Sequence, residues 1–309
     1  MTVLVLTCEQ DVTADMVVDR LNARGVPLLR FDPADMPARC AMSAEYVHGE
    51  FEGYLSTGSR VVNVDHIRSV WVRRPGLPAA HAEDACEWLT VECAQAFYGL
   101  LEGLGARWMN PLAAADRARL KPWQVRLAHR CGFPVPATVV TTYPQVAQRF
   151  AERYRHVVVK SVSGRPAGEP PVALPTTLVP ADADFSSVSA GPTLLQRFVG
   201  RSADIRLTVV GDQFFAARKV SAADQVDGRF GNTGECWRPV ETPGHIRRAA
   251  NAYLLSAQLV YGAFDFAEDA DGTWWFLECN QGGQFGFVEL ETGQPIADAV
   301  AEWLGRLSG

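Results

Sequence analysis

The sequence predicts a mixed α/β and α+β protein, and three observations carry the prediction. Short apolar, β-branched runs such as Val3–Leu6 and Val157–Lys160 alternate with stretches whose apolar residues recur at helical spacing. A strand, a helix and a second strand fit within the first 31 residues, a βαβ unit that needs parallel pairing. Towards the C-terminus, tight turns at Gly211-Asp212 and Asp269–Gly272 join strands into antiparallel hairpins. A chain of 309 residues has room for two or three packed units. Hydrophobic content of 48% and charged content of 21% are ordinary for a globular protein and argue against disorder. The formal charge of −6 argues against a broad nucleic-acid surface. No run of about 18 or more apolar residues exists to span a membrane. The N-terminus lacks a basic n-region and meets Asp11 too early for a signal peptide. The seven cysteines are scattered without a CxxC pair, which disfavours zinc and a disulfide framework and suits a reducing cytoplasm.

Val3–Leu6 is the first strand. Asp11 or Thr13 caps a helix with Met16, Val17 and Leu21 at helical spacing, and Gly25 ends it. Val26–Phe31 is the second strand. The segment from Ala41 to Val64 alternates and carries Gly49, Gly53 and Gly58, as meandering strands do. Ile67–Val72 is a further strand, closed by Arg73, Arg74 and Pro75. Glu83–Leu104 is a long helix whose apolar face includes Trp88, Leu89, Phe97, Leu100 and Leu101, with Cys86 and Cys93 on that face as core residues. Trp108–Pro111 reads as a short strand and turn.

Ala113–Arg119 and Trp123–Cys131 are helices separated near Lys121-Pro122. Ala137–Thr141 is a strand, Tyr143–Tyr154 a helix, and Val157–Lys160 a strand that delivers Lys160 into the glycine- and proline-containing loop Ser161–Pro171. Thr193–Val199 is a strand, followed by the hairpin Asp204–Val210 and Gln213–Val220. Pro243–Leu259 is a helix. Ala263–Phe266 and Thr273–Cys279 form a second hairpin, and Gln294–Leu307 is the last helix.

The chemistry concentrates in Trp274–Glu289. A buried strand presents Glu278 and Asn280 on one side by alternation, and Asp265 stands on the paired strand. Two carboxylates and an amide oxygen make a hard-oxygen set that suits Mg²⁺, although a hairpin with polar residues facing solvent fits the same residues. A lysine leaving an apolar strand into a glycine-containing loop, as Lys160 does, can meet phosphates or simply solvent, and the loop is not a Walker A motif. Arg73 and Arg74 sit at a strand exit, where open α/β sheets bind ligands and forked donors match carboxylates; a solvated pair fits equally. The six histidines show no ligand spacing. Cys279 is turned away from the acidic pair, so a thiol nucleophile has little support.

With these residues in order, the chain from Asn110 onward resembles the ATP-grasp ligases. Lys121 and Lys160 match the family's two nucleotide lysines. Gln196, Arg197, Phe198 and Val199 match the strand whose backbone meets the adenine. Asp204 and Arg206, then Arg218, match the strand pair with arginines over phosphates and substrate. Asp265, Glu278 and Asn280 match the Mg²⁺ set. The Arg-Arg-Pro segment, WMNPLAAADRARLKPWQVRLAHRCGFPVPATVVT, ARKVSAADQVDGRFGN and LECNQGGQFGFVELETGQPIADAVAEWL are similar to the ribosomal peptide maturases of this class, the graspetide or microviridin-type synthetases. Gln281 and Gly282 replace that family's usual proline and serine, and the loop Gly164–Pro171 is unusually proline-rich.

The resemblance implies an ATP-grasp fold with an N-terminal pre-ATP-grasp α/β domain at 1–109, a central subdomain at 110–190 and a C-terminal subdomain at 191–309. It implies ATP and Mg²⁺, a precursor peptide of leader and core as partner, and a homodimer in the cytoplasm. It also implies roles. Arg206 steadies the transferred phosphoryl group. Arg218 and Arg229 hold the acceptor carboxylate, and Asp227 accepts a proton or pairs with Arg229. Arg73, Arg74 and Gln284 bind substrate. The glycine turn Gly282–Gly286 lets the backbone approach the nucleotide. The implied reaction is ATP-dependent ester or amide formation on a peptide. A ligase for a free amino acid or small peptide and a non-catalytic nucleotide-binding module are the alternatives.

Overall fold

The parallel pairing expected at the N-terminus sets the first unit. A computed structural model of the chain describes residues 1–78, 86–164, 172, 174–221, 226–227 and 235–306. The chain divides into two units, one formed by residues 1–111, 284–289 and 295–309, the other by residues 112–283 and 290–294. In the first, β1 (Thr2–Thr7), α1 (Val12–Ala23) and β2 (Leu28–Phe31) make the crossover, with Asp11 accepting the Ala14 N–H at the helix start. The strands β3 (Cys40–Val47), β4 (Glu50–Thr57) and β5 (Val61–Asn63) form an antiparallel meander. Next come β6 (Ile67–Arg74), α2 (Cys86–Glu102) and β7 (Arg107–Trp108), which complete a parallel sheet of order β2-β1-β6-β7. Leu4, Leu6, Leu29 and Val70 pack with Phe97 and Leu101 of α2, and Phe31 stacks on Phe97 at 5.2 Å. Trp88 is not part of that face: it is 63% exposed, and Cys93 is only half-buried. The core is met by the later turns of α2, where Phe97, Leu100 and Leu101 recur.

The second unit carries two sheets. The helices α3 (Leu112–Ala118) and α4 (Lys121–Arg130) precede β8 (Thr138–Thr141), α5 (Pro144–Tyr154), β9 (Val157–Lys160), β10 (Thr177–Val179) and β11 (Thr193–Arg197). These strands form an antiparallel sheet of order β10-β9-β11-β8. Ala147 and Ala151 of α5 cover Val157 and Leu195 on one of its faces. The larger sheet follows: β12 (Ala203–Val210), β13 (Gln213–Val220), β14 (Arg238–Val240), then α6 (Gly244–Ala257), β15 (Tyr261–Glu268) and β16 (Trp274–Asn280), ordered β14-β13-β12-β15-β16. Alternation sends Ile205, Leu207, Phe264, Phe266 and Phe276 to one face, where Tyr253 of α6 and Phe133 complete the core. Each such side chain contributes roughly 1.5–3 kcal/mol by leaving water. The opposite face carries Arg206, Asp265 and Glu278 among buried neighbours such as Thr208, Ala217 and Ala263.

The chain ends with α7 (Gly286–Thr292) and α8 (Ile296–Gly305). The helix α8 packs on α1 within the first unit, where Arg20 and Arg24 hold Asp298 and the Ser69 hydroxyl donates to the Leu304 carbonyl at 2.8 Å. The stretch expected as a glycine turn, Gly282–Gly286, runs without regular structure up to Gly286, where α7 begins. A Cβ on Gly286 would lie 3.0 Å from Thr13 Oγ1. One on Gly283 would lie 2.6 Å from the Ala263 Cβ. Close packing within the protein accounts for both glycines.

Candidate active site

Helix α4 begins at Lys121 rather than beyond it, with Pro122 in the first turn, where a missing N–H costs nothing. That start places the Lys121 ammonium 2.8 Å from the Ser161 carbonyl, just past β9, and 3.6 Å from Glu278 Oε2 on β16. Lys160 ends β9 on the face away from α5. Its Nζ donates to Gln196 Oε1 at 2.7 Å, and the Gln196 amide in turn donates to Thr138 Oγ1 at 3.0 Å. Gln196 is buried, so this chain of bonds fixes where the lysine points. Burial pushes the Lys160 ammonium down to about 8; Glu278 and Asp227 oppose the shift, whereas Lys121 and Arg201 add to it.

On the larger sheet the register aligns a row of charges. Arg206 stands directly opposite Asp265, and Asp265 directly opposite Glu278. A register shift between Asp265 and Phe266 makes the second match, because two residues of β16 there oppose one step of β15. Asn280 lies two residues on, opposite Ala263. Arg206 Nη1 reaches both Asp265 oxygens, at 2.7 and 2.8 Å. Burial raises the Asp265 carboxyl, to about 6; Arg206 lowers it, and Glu278 raises it again. The Arg206 guanidinium, although burial disfavours its charge, is held charged by Asp265 and by Tyr261 and Glu278. Asp265 thus sits between a cation and a second anion. The Asn280 side-chain oxygen accepts the Gly282 N–H at 3.0 Å, which orients the amide. Cys279 is buried in the core, and burial raises its thiol well above the ordinary value.

Several expected residues sit elsewhere. Arg218 is opposite Ile205, on the core side of the sheet, and its Nε donates to Glu268 at 2.5 Å. Period-two alternation therefore separates Arg218 from Arg206, and the cation of β13 on the Arg206 side is Lys219, opposite Asp204. Asp204 is buried, with one oxygen on Arg201 and the other accepting the Ser221 hydroxyl at 2.6 Å. Arg201 also donates to the Val226 carbonyl at 2.8 Å, and Asp227 accepts the Thr176 N–H at 2.8 Å. Together these hold Val226 and Asp227 to residues just ahead of β12 and of β10. Arg229 and the loop from residue 165 to 171 lie outside the described residues. Arg197 stacks over Trp275 at 4.7 Å, the Phe198 N–H donates to the His156 carbonyl at 2.9 Å, and Val199 is buried.

In the first unit Arg73 and Arg74 do not form a pair. Both lie inside β6, so alternation turns Arg73 inward, 2% exposed beside Asp11 at 3.5 Å. Arg74 faces out, and with its amide oxygen turned towards it Gln284 accepts from both guanidinium nitrogens at 2.9 and 3.0 Å.

Among the described residues no group of three His, Cys, Asp or Glu side chains is arranged to hold a metal. The oxygen set is instead two facing carboxylates, Asp265 and Glu278, with the Asn280 amide beside them, all hard donors. A dication there would also relieve the repulsion between the two carboxylates, so the residues fit Mg²⁺.

Known proteins resemble this chain over nearly its whole length. Residues 2–116 match the family described as the MvdD pre-ATP grasp domain. No curated protein sequence matches. Macrocyclase MdnC of Microcystis aeruginosa MRC, solved bound with precursor peptide MdnA, is 27% identical, with a TM-score of 0.87 over 98% of this chain and 99% of that one. Macrocyclase MdnB of the same organism is 26% identical, with a TM-score of 0.80 over 98% of each chain. A ribosomal-peptide-associated ATP-grasp ligase of Chryseobacterium gregarium, solved with ADP and a leader and core peptide, shares the fold at 23% identity. Its TM-score is 0.86 over 98% of this chain and 96% of that one.

Proposed function

We propose that this chain, an ATP-grasp ligase of the ribosomal peptide maturase group, activates Asp or Glu side-chain carboxylates of a precursor peptide and joins them to Ser or Thr hydroxyls or Lys amines. One observation carries the assignment. Lys121 at the start of α4 and Lys160 at the end of β9 gather with the row Arg206–Asp265–Glu278 of the larger sheet inside one unit.

The chemistry has two steps. A carboxylate oxygen attacks the γ-phosphorus of ATP, and ADP leaves with the electrons of the broken P–O bond. The hydroxyl or amine then attacks the acyl carbon, phosphate leaves, and the nucleophile gives up its proton. The first step needs positioning and charge neutralisation more than covalent help from the protein. Lys121 and Lys160 suit the phosphates: the Gln196 Oε1 acceptor that fixes Lys160 is neutral, and Lys121, held by the Ser161 carbonyl, also faces Glu278 at 3.6 Å. Arg206, held charged and oriented by Asp265, suits the transferred phosphoryl group and the oxyanion that follows. Asp265, Glu278 and Asn280 would hold Mg²⁺, which when bound neutralises phosphate charge. In the first unit, the outward fork of Arg74 suits a peptide carboxylate. Asp227 supports loop placement better than proton transfer, since its Oδ2 already accepts a backbone N–H.

Hydroxylamine tests the intermediate. Added with ATP, Mg²⁺ and precursor, it captures an acyl phosphate as a peptide hydroxamate. ADP release without any hydroxamate on Asp or Glu would contradict the proposed activation.

A further inference from the structure

We infer that Gln124 is a positioning residue that fixes the edge strand carrying Glu278 and Asn280, and with it the oxygen set for the divalent cation. The inference rests on the function proposed above. β16 is the last strand of its sheet among the described residues, so one of its edges has no strand partner among them. At Cys279, between Glu278 and Asn280, the Gln124 side chain takes that partner's place. Its Oε1 accepts the Cys279 N–H at 2.9 Å, and its Nε2 donates to the Cys279 carbonyl at 3.1 Å. The same Nε2 donates to the Ala118 carbonyl at 2.6 Å. One amide therefore ties the end of α3, the first turns of α4 and the edge of β16. A carboxamide can do this because it carries donor and acceptor in one plane, as a peptide unit does.

Two features give this contact functional weight. First, Gln124 is buried, so losing it strands a buried N–H and carbonyl that water cannot easily reach. Phe276 N–H also has an outer-edge partner, the Pro134 carbonyl at 2.8 Å, but it lies before the register shift. Gln124 holds the strand on the far side of that shift, where Glu278 and Asn280 are aimed. Second, Gln124 lies one turn beyond Lys121 on α4. The helix that fixes Cys279 is the helix that brings the lysine to 3.6 Å from Glu278. Gln124 touches no substrate or metal itself. It acts through the backbone that orients the ligands, as outer groups around metal sites do.

The test is calorimetry of ADP binding to the full chain, with Mg²⁺ and with EDTA, in wild type, Gln124→Met and Leu127→Ala. Leu127 is a buried core residue of the same helix, so its truncation destabilises while leaving both Gln124 hydrogen bonds to Cys279 in place. The factor by which Mg²⁺ tightens ADP binding should fall by about tenfold or more in Gln124→Met, the usual scale for loss of an outer partner. In Leu127→Ala that factor should stay at the wild-type value. Should Gln124→Met not fold, Gln124→Asn, an amide one methylene too short, reads the same ratio. An unchanged Mg²⁺ factor in the Gln124 variant, or an equal fall in Leu127→Ala, overturns the inference. A wild-type protein that binds no ADP in either buffer overturns the functional assignment itself, and this inference with it.

Discussion

Lys160 gives the most quantitative prediction. Its ammonium titrates at about 8 because it is buried, whereas a lysine in water titrates at 10.5. Phosphate oxygens beside it favour the charged form, so nucleotide binding should draw a proton onto Lys160 wherever the free protein has lost it. If only the charged form binds well, the apparent Kd scales as one plus the ratio of neutral to charged lysine. Between pH 7.5 and 9.5, with a pKa of about 8, MgADP affinity should then weaken by about 25-fold, roughly 1.9 kcal/mol. At pH 9 binding should take up about 0.9 proton, read from calorimetry in buffers of different ionisation enthalpy. Lys160→Arg, charged at every pH in the range, should remove both effects. Stability should move the other way. The folded chain binds fewer protons at Lys160 than the unfolded chain between about pH 8 and 10.5, so the nucleotide-free protein gains stability from this residue as pH rises through that window. An affinity that stays flat from pH 7.5 to 9.5, without proton uptake, would refute the reasoning.

The other predictions are more local. Glu278→Gln and Asn280→Ala should each abolish ATP turnover while leaving thermal unfolding near wild type; full turnover in either removes the metal assignment. Arg201→Ala leaves Asp204 a buried charge without its guanidinium partner, and should cost ~3 kcal/mol in urea unfolding. Arg218→Ala should lower stability through Glu268 more than it lowers phosphoryl transfer, because it lies on the core side of the sheet; a turnover loss matching that of Arg206→Ala would contradict this. Gly283→Ala, which would put a Cβ 2.6 Å from that of Ala263, should cost about 1–3 kcal/mol, read in the same urea assay.

What the sequence made legible followed period and turn chemistry. The strands Val157–Lys160 and Gln213–Val220 fall on their expected bounds, because a β-branched run and a Gly-Asp turn define them locally. The ends Lys121, Lys160, Asp265 and Glu278 come together as the resemblance implied. What stayed hidden depends on distant partners. β14 contains Pro239, which weakens any strand signal and is tolerated at the sheet's edge. β10 is three residues long and exists through its pairing with β9. Gly286 suggested a turn, yet it opens α7, and a Cβ there would lie 3.0 Å from Thr13 Oγ1. Adjacent arginines looked like one site until the observed length of β6 sent them to opposite faces. The partner Glu268 of Arg218 needed the strand register, which no local pattern encodes. Gln124 carries no motif in the sequence, and only its bonds to the outer edge of β16 reveal its use.

The central claim is that ATP hydrolysis in this chain is coupled to bond formation within a peptide. Incubation with ATP, Mg²⁺ and the short peptide encoded beside its gene, followed by intact mass and fragmentation, tests it directly. The account predicts loss of one water mass per link, with each link joining an Asp or Glu to a Ser, Thr or Lys side chain, and no loss in Glu278→Gln. An unmodified peptide alongside brisk ATP turnover on a free amino acid would contradict it.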